Sequence, residues 1–242
     1  MKNGTKSQET SLEQIGTLAG FITSFFVKVL SVEQVSYWLG HKTELKQKLC
    51  EVFVVMDEYV TLREEWQKFW KDQLNWDVDF SRVIIPPKPA IGSWCLLIIP
   101  KGMTNNKMFA RMEQLFKCWK YADNLDTAVP TNIRTTENHY AVWVRDGVEP
   151  DAEFLGKPVR EADPDMKIGM TLLERLTLEI KYFSETRKHL DVIGGTRCSG
   201  SRSSDGDVPH VSWRPDGGTV DVRWSTVDLS YGGYGVRRAV YS

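Results

Sequence analysis

No two cysteines in this protein stand close enough in sequence to share a metal ion or a redox cycle. The four, Cys50, Cys95, Cys118 and Cys198, are scattered singly. Without a C-x-x-C pair there is neither a zinc ribbon nor a thioredoxin-like motif. Isolated thiols among 242 residues fit a reducing compartment better than export, where cysteines tend to be used in bridges. Long apolar runs are lacking too. The best of them, IGTLAGFITSFFVKVL (15–30), falls short of the roughly 20 apolar residues of a membrane helix. It is interrupted by Thr17, Thr23, Ser24 and Lys28, and no small-residue cleavage site follows it. Both features predict a cytoplasmic protein that does not enter the membrane. Charge of one sign is absent as well: 31 basic residues against 32 acidic ones leave a net charge of -1. No global field therefore draws the molecule to nucleic acid or an anionic surface, and a nucleic-acid site has to be a local patch. Missing too are G-x-x-x-x-G-K-[ST], a strand-following G-x-G-x-x-G, G-x-S-x-G and H-E-x-x-H, so no phosphate cradle, nucleophile elbow or zinc helix is announced. No cofactor and no metal site is expected, because His139, His189 and His210 lie far apart.

What is present is the composition of a folded protein, 41% hydrophobic and 26% charged. SLEQ places Ser11 and Gln14 as a reciprocal capping box at the head of a helix over 11–30, and SVEQ repeats it with Ser31 and Gln34. The second helix is expected to stop at Gly40, in a left-handed C′ position. A third opens near Thr43 with Leu45, Leu49, Val52, Phe53 and Met56 on one face. A further helix then carries Tyr59, Leu62, Trp66, Phe69 and Trp70 to about Leu74. IIPPKPAIGSW changes the grammar: three prolines in four residues favour an extended connector, and the spacing predicts a boundary there. The expected organisation is a helical region over 1–83, a connector at 84–93, and a domain over 94–242.

In that last part WCLLIIP (94–100) reads as a buried strand, TNNKMFARMEQLF (104–116) as a helix capped by Thr104 or Asn105, and HYAVWVRD (139–146) as a strand. TLLE supplies a third capping box, Thr171 with Glu174, ahead of the inward stripe Leu172, Leu173, Leu176, Ile180 and Phe183. Arg175 with Glu179 and Lys181 with Glu185 are spaced as outer-face charge pairs. Beyond Asp191, VPHVSW, GTVDVRW and RRAVYS alternate between turn signals and predict a small antiparallel sheet. The fold class is α+β.

Chemistry concentrates in CSGSRSSDGDVPHVSW (198–213). Cys198 and His210 form the one Cys/His pair near in sequence, with Asp205 or Asp207 to orient the base; the alternative is a buried thiol and a loop histidine. Arg145 and Asp146 at a strand end, with Arg197, Ser199, Ser201, Arg202 and Asp205 in the loop, could converge on an anion pocket. The alternative is that they satisfy one another and the loop backbone. Basic residues from Arg187 onward, among them Arg214, Arg223, Arg237 and Arg238, interleave with Trp213, Trp224, Tyr231 and Tyr234 as a nucleic-acid face would require. Asp191, Asp205, Asp207, Asp216, Asp221 and Asp228 offset that charge and point to internal ion pairs instead. SVEQVSYWLGHKTELKQKL also has a helix-turn-helix outline, with Lys42, Lys46 and Lys48 on its second helix.

HYAVWVRDGVEPD, TLLERLTLEIKYFSETRKHLD and CSGSRSSDGDVPHVSW, in that order and with LFKCW at 115–119, resemble a family of uncharacterised bacterial proteins with no assigned activity. The resemblance spans about residues 95–242. It implies a bacterial cytoplasmic setting and a single domain containing those blocks; it brings no mechanism. The expectation is a non-enzymatic binding or regulatory module that engages a protein or nucleic acid through a C-terminal face of Arg145, Asp146, Arg197, Ser199, Ser201, Arg202, Asp205, Trp213 and Arg223. The alternative is a hydrolase using Cys198 and His210 or an arginine-lined pocket. Oligomeric state is not legible.

Overall fold

The computed structural model describes residues 19–20, 23–24 and 30–241, except for the side chains of 46–47 and 50–58. The helix expected over 11–30, with its Ser11 box, lies outside them apart from two helical fragments, 19–20 and 23–24. Two compact units are present, Met1–Asp57 and Glu58–Ser242.

In the first, α1 (Val32–Gly40) opens on the Ser31/Gln34 box, with both reciprocal bonds made. Gly40 is not a left-handed cap. It is the last helical residue, and His41 (φ -119) closes the helix with its N–H on the Trp38 carbonyl. The helix α2 runs unbroken over Lys42–Leu74, where the sequence suggests two helices. Nothing between Thr43 and Leu74 breaks it: there is no proline or glycine in the span. The apolar face expected at Val52, Phe53 and Met56 falls among the side chains outside the described ones.

The second unit continues through β1 (Trp94–Ile99), α3 (Asn105–Leu115), β2 (Cys118–Lys120), α4 (Leu125–Ala128), β3 (Thr131–Asn132), β4 (Tyr140–Arg145), α5 (Val159–Ala162) and α6 (Leu172–Thr186). The last part holds β5 (Gly195–Arg197), β6 (Ser201–Arg202), β7 (Val208–Arg214), β8 (Thr219–Ser225), β9 (Tyr234–Val236) and β10 (Ala239–Val240). The class is α+β. One sheet has the order β1-β4-β10; a second, β2-β8-β7-β5-β9; β3 and β6 form a third, two-stranded one. The β7–β8 hairpin is antiparallel as expected, but β2 and β9 join their neighbours in parallel. RRAVYS does not enter that sheet; its β10 pairs with β4 in the other.

The main core joins the sheets to α6 and to the end of α2. Leu97, Ile98, Val142 and Val144 from one sheet, Val211, Val220 and Val222 from the other, Leu172, Leu176 and Ile180 from α6 and Trp66 and Trp70 from α2 all lie in it. A smaller cluster of Phe154, Val159, Ala162, Val208 and Val236 lies apart from it. Each such side chain contributes about 1.5–3 kcal/mol by leaving water. The prolines are not a free linker. Val83 and Ile85 are buried, the Trp143 indole N–H donates to the Pro86 carbonyl at 2.8 Å, and Arg63 donates twice to Val83 O. The division between units falls at Asp57, not at the prolines.

Helix α6 begins with the Thr171/Glu174 box as its sequence predicts. Its Arg175 and Glu179 are not on an outer face, however: both are fully buried, in a network with Asp191 and Arg237. Residues Leu172 to Ile180 are buried on every side, so the helix is an axis of the unit and has no solvated face over those turns. Lys181 and Glu185, one turn later, make the pair expected of them.

Candidate functional site

Alternation and register decide which side chains share the outer face of the five-stranded sheet. Successive residues of a strand point to opposite faces, so in β7 Val211 enters the core while His210, Ser212 and Arg214 face away. Pairing sets Arg223 opposite His210 and Asp221 opposite Ser212. It also sets Arg197 of β5 opposite His210, and Trp119 of β2 opposite Asp221. Two neighbouring rows are thereby laid across this face, Arg223, His210 and Arg197 in one and Trp119, Asp221 and Ser212 in the other. Beside the first row, the loop 226–233 and Tyr234 close a cavity of about 190 Å³, lined by Arg197, His210, Ser225, Leu229, Tyr231 and Tyr234, with exposed Arg214 at its edge.

Arg197 is 1% exposed. Its Nη1 donates to the carbonyls of Leu229 and Lys157. Its Nε and Nη2 are sealed from solvent and meet no acceptor. Burial draws its pKa below the usual arginine value, and among the described residues no carboxylate pairs with it. The neighbouring His210 is pushed down to about 4, mainly by burial, then by the Arg197 and Arg223 charges, with Asp221 opposing. It is a neutral imidazole near pH 7, its Nδ1 without a partner, its ring edge-on to Tyr234 at 4.9 Å. The Ser225 hydroxyl is likewise buried and unbonded. Three polar groups around one cavity therefore lack partners, where buried polar groups are ordinarily satisfied.

The remaining predicted residues do not gather there. Cys198 is fully buried in the core, its thiol pushed up by desolvation and 3.9 Å from the Thr196 carbonyl. It is not hydrogen-bonded to His210, which lacks a thiolate neighbour to activate. Arg145 lies 3.7 Å from Asp151 and 4.8 Å over the Trp94 ring, and Asp146 accepts from Ser93. They lie at the end of β4, the central strand of the first sheet. The Ser199 hydroxyl donates to Asp163 at 2.6 Å; the same carboxylate accepts from the N–H groups of Lys167, Ile168 and Gly169. A Cβ on Gly169 would meet that hydroxyl at 1.7 Å. Ser201 links Asn132 to the Leu172 N–H, and Arg202 donates to the carbonyls of Ser199 and Ser201. Asp205 is exposed, and Asp207 closes its turn against Ser203. Arg145 and Asp146 thus sit in one set of contacts, and Ser199, Ser201 and Arg202 in another with Asp163, Asn132 and the loop carbonyls.

Trp213 points to the core side of β7 and stacks on His189 at 4.0 Å. Arg223 donates twice to Asp221 and lies 4.3 Å over Trp119. Part of the basic tail is neutralised from within: Arg237 by Asp191 and Arg238 by Glu153, as Arg223 is by Asp221. Sequence reasoning missed Ser225 and Leu229. Ser225 merely ends an alternating strand and Leu229 sits in a polar loop, so neither carries a signal without the pairing that folds the loop back over Arg197. Among the described residues no three of His, Cys, Asp and Glu group as metal ligands, and no helix is long and apolar enough to cross a membrane. No family model, curated protein or solved structure matches the sequence.

Proposed function

We propose that this protein is a non-enzymatic binding module that captures an anionic group at Arg197, on the outer face of its five-stranded sheet. The observation that carries the reading is an internal comparison. A guanidinium presents its Nε and Nη2 hydrogens along one edge, matched to two oxygens of an anion. Arg134 sets that edge on both oxygens of Glu174 at 2.6 and 2.7 Å; Arg175 sets it on the single Oδ2 of Asp191 at 3.0 and 2.8 Å, and Arg223 on the single Oδ2 of Asp221 at 3.2 and 3.0 Å. Arg197 has the same edge and, like Arg175, is almost wholly shielded from solvent, but its edge meets no acceptor. An unpaired buried charge is costly and persists where something outside the fold completes it. Binding is favoured over catalysis because Cys198 is a raised, enclosed thiol and His210 a neutral imidazole with no nucleophile bonded to it.

The test is thermal unfolding at pH 7 and fixed ionic strength, with chloride exchanged in turn for acetate, phosphate and sulfate. A bound anion at 100 times its Kd stabilises by about 2.7 kcal/mol, or about 5–10 °C for a protein of this size. At least one anion should raise the midpoint of the parent. The rise should vanish in Arg197→Met and survive in Arg202→Met. Equal behaviour of the two variants, or no response in the parent, overturns the reading.

A further inference from the structure

We infer that the group held by Arg197 is the carboxylate of a monoanionic acid with a flat, apolar body, seated between the sheet face and the loop 226–233. This rests on the anion-binding reading above and narrows it to one chemistry.

Charge is the first argument. The cavity has one buried cation without a counter-ion; Arg223 is already held by Asp221, and Arg214 stands in solvent at the edge. His210 adds no charge near neutrality, and Tyr231 and Tyr234 add hydroxyls only. One positive charge in a desolvated site is balanced by one negative charge. A phosphate dianion would bring a surplus charge, and it would bring oxygens beyond the two that the edge receives.

Shape is the second. The free edge of Arg197 offers two parallel N–H bonds, the fork that a planar carboxylate fills; this protein fills one such fork with both oxygens of Glu174 and meets another with a single oxygen of Asp191. The cavity beside Arg197 is walled by Leu229, Tyr231 and Tyr234. A cavity of about 150 Å³ admits benzene. The 190 Å³ beside Arg197 suits a ring carrying one carboxylate, and lies below the roughly 300 Å³ or more of a site for a drug-sized ligand.

Access is the third. Nε and Nη2 are sealed from solvent, and the Leu229 carbonyl of the loop accepts from Nη1. The loop is held at its two ends, by Val227 packed on Phe154 and Val159 and bonded to the Arg160 N–H, and by Gly233 O bonded to the Gly195 N–H. Between them it is held by the exposed Asp228–Arg160 pair and a Ser230 hydroxyl bond to Gly156 O. Of the two glycines that end the loop, Gly233 is packed on Gly194, while a Cβ at Gly232 would meet nothing within 4 Å. An acid reaches the edge by displacing Leu229 outward between the anchored ends of the loop, with Gly232 giving way, and exchanges one carbonyl contact for a bidentate ion pair.

The experiment is calorimetric titration of the full-length protein at pH 7 with sodium benzoate, sodium acetate, benzamide, inorganic phosphate, and N-acetyl-Gly-Phe as free acid and as amide. Benzoate should bind at least tenfold more tightly than acetate, and benzamide should not bind. Arg197→Met should abolish benzoate binding, and Arg197→Lys, which keeps the charge without the two-hydrogen edge, should weaken it at least tenfold. Free-acid peptide binding above benzoate, with its amide silent, identifies the terminal carboxylate of a polypeptide as the source; benzoate binding alone identifies a free acid. Phosphate binding that exceeds benzoate and needs Arg197 would overturn the carboxylate assignment and leave the anion site standing. Absence of binding by every anion, or benzoate binding unchanged in both variants, would overturn both.

Discussion

Two arginines of this protein are equally buried and oppositely provided for. Arg175 is met by Glu179 and Asp191, which hold its pKa above the usual arginine value against desolvation; Arg197 meets two carbonyls and is drawn down. In sequence both are arginines near acids, and nothing local distinguishes them. His210 is legible as a chemically interesting residue, but for the wrong partner: its neighbour in space is Arg197, thirteen positions back through a strand pairing, and Cys198 one residue further on points to the other face. A measurable consequence follows for acid stability. His210 titrates at about 4 when folded and at 6.5 in the reference state, so its folded pKa is lowered. Above 6.5 both states are neutral and nothing is lost; between 6.5 and 4 the unfolded chain takes up a proton that the folded one refuses. At about 1.36 kcal/mol per unit this removes about 3 kcal/mol across that window. Urea unfolding at pH 7 and pH 4.5 should therefore show the parent losing about 2–3 kcal/mol more than His210→Gln. Parallel losses would mean that the imidazole is solvated. The groups facing it are Arg197, Arg223, Asp221, Arg214, Tyr231 and Tyr234; a carboxylate beside Arg197 would raise the His210 pKa and shrink the difference.

At the level of elements, the capping box of α6 can be read directly from TLLE because it is built from residues three apart. Arg175 and Glu179 read as a solvated i,i+4 pair for the same local reason, and there locality misleads. What reverses the reading is distant: the sheets carrying Val142 and Val211 enclose the helix in a common core. Asp191, in the turn after α6, then accepts from Arg175, from Arg237 of the last strand connection and from the Thr196 N–H. Tolerating charge at the axis requires every member. Asp191→Ala would leave two guanidiniums short of an acceptor at once, and breaking a buried pair costs about 3–5 kcal/mol. Denaturant unfolding should show that loss, while Arg197→Met, which removes a charge that has no partner, should stay within about 1 kcal/mol of the parent or above it. A smaller loss for Asp191→Ala than for Arg197→Met would refute the distinction drawn between the two sites.

For the whole molecule, the α+β class and the existence of most elements follow from periodicity, while the division into units does not. Prolines suggest a connector wherever they cluster, yet here Val83 and Ile85 on either side of Ile84 are inserted into the core, and Trp70 of the preceding helix donates to Ile98 O at 2.8 Å. The aromatic end of α2 is thus part of the second unit, and among the described residues its core cluster contains none before Tyr59. A truncated protein beginning at Glu58 keeps that entire core. It should unfold in one cooperative transition, with midpoint within a few degrees of the second unit's transition in the intact protein. Its thiols provide an independent check. Burial pushes Cys95 up to about 11 and Cys118 up to about 12, and Cys198 higher still. The thiolate is the reactive form, so at pH 7.5 all three should react with a thiol reagent far more slowly than in the urea-unfolded state. A non-cooperative transition together with rapid labelling of Cys95 and Cys198 would mean that residues before Glu58 are needed to close this core; rapid labelling of Cys198 within a cooperative fold would instead reopen the case for a reactive nucleophile.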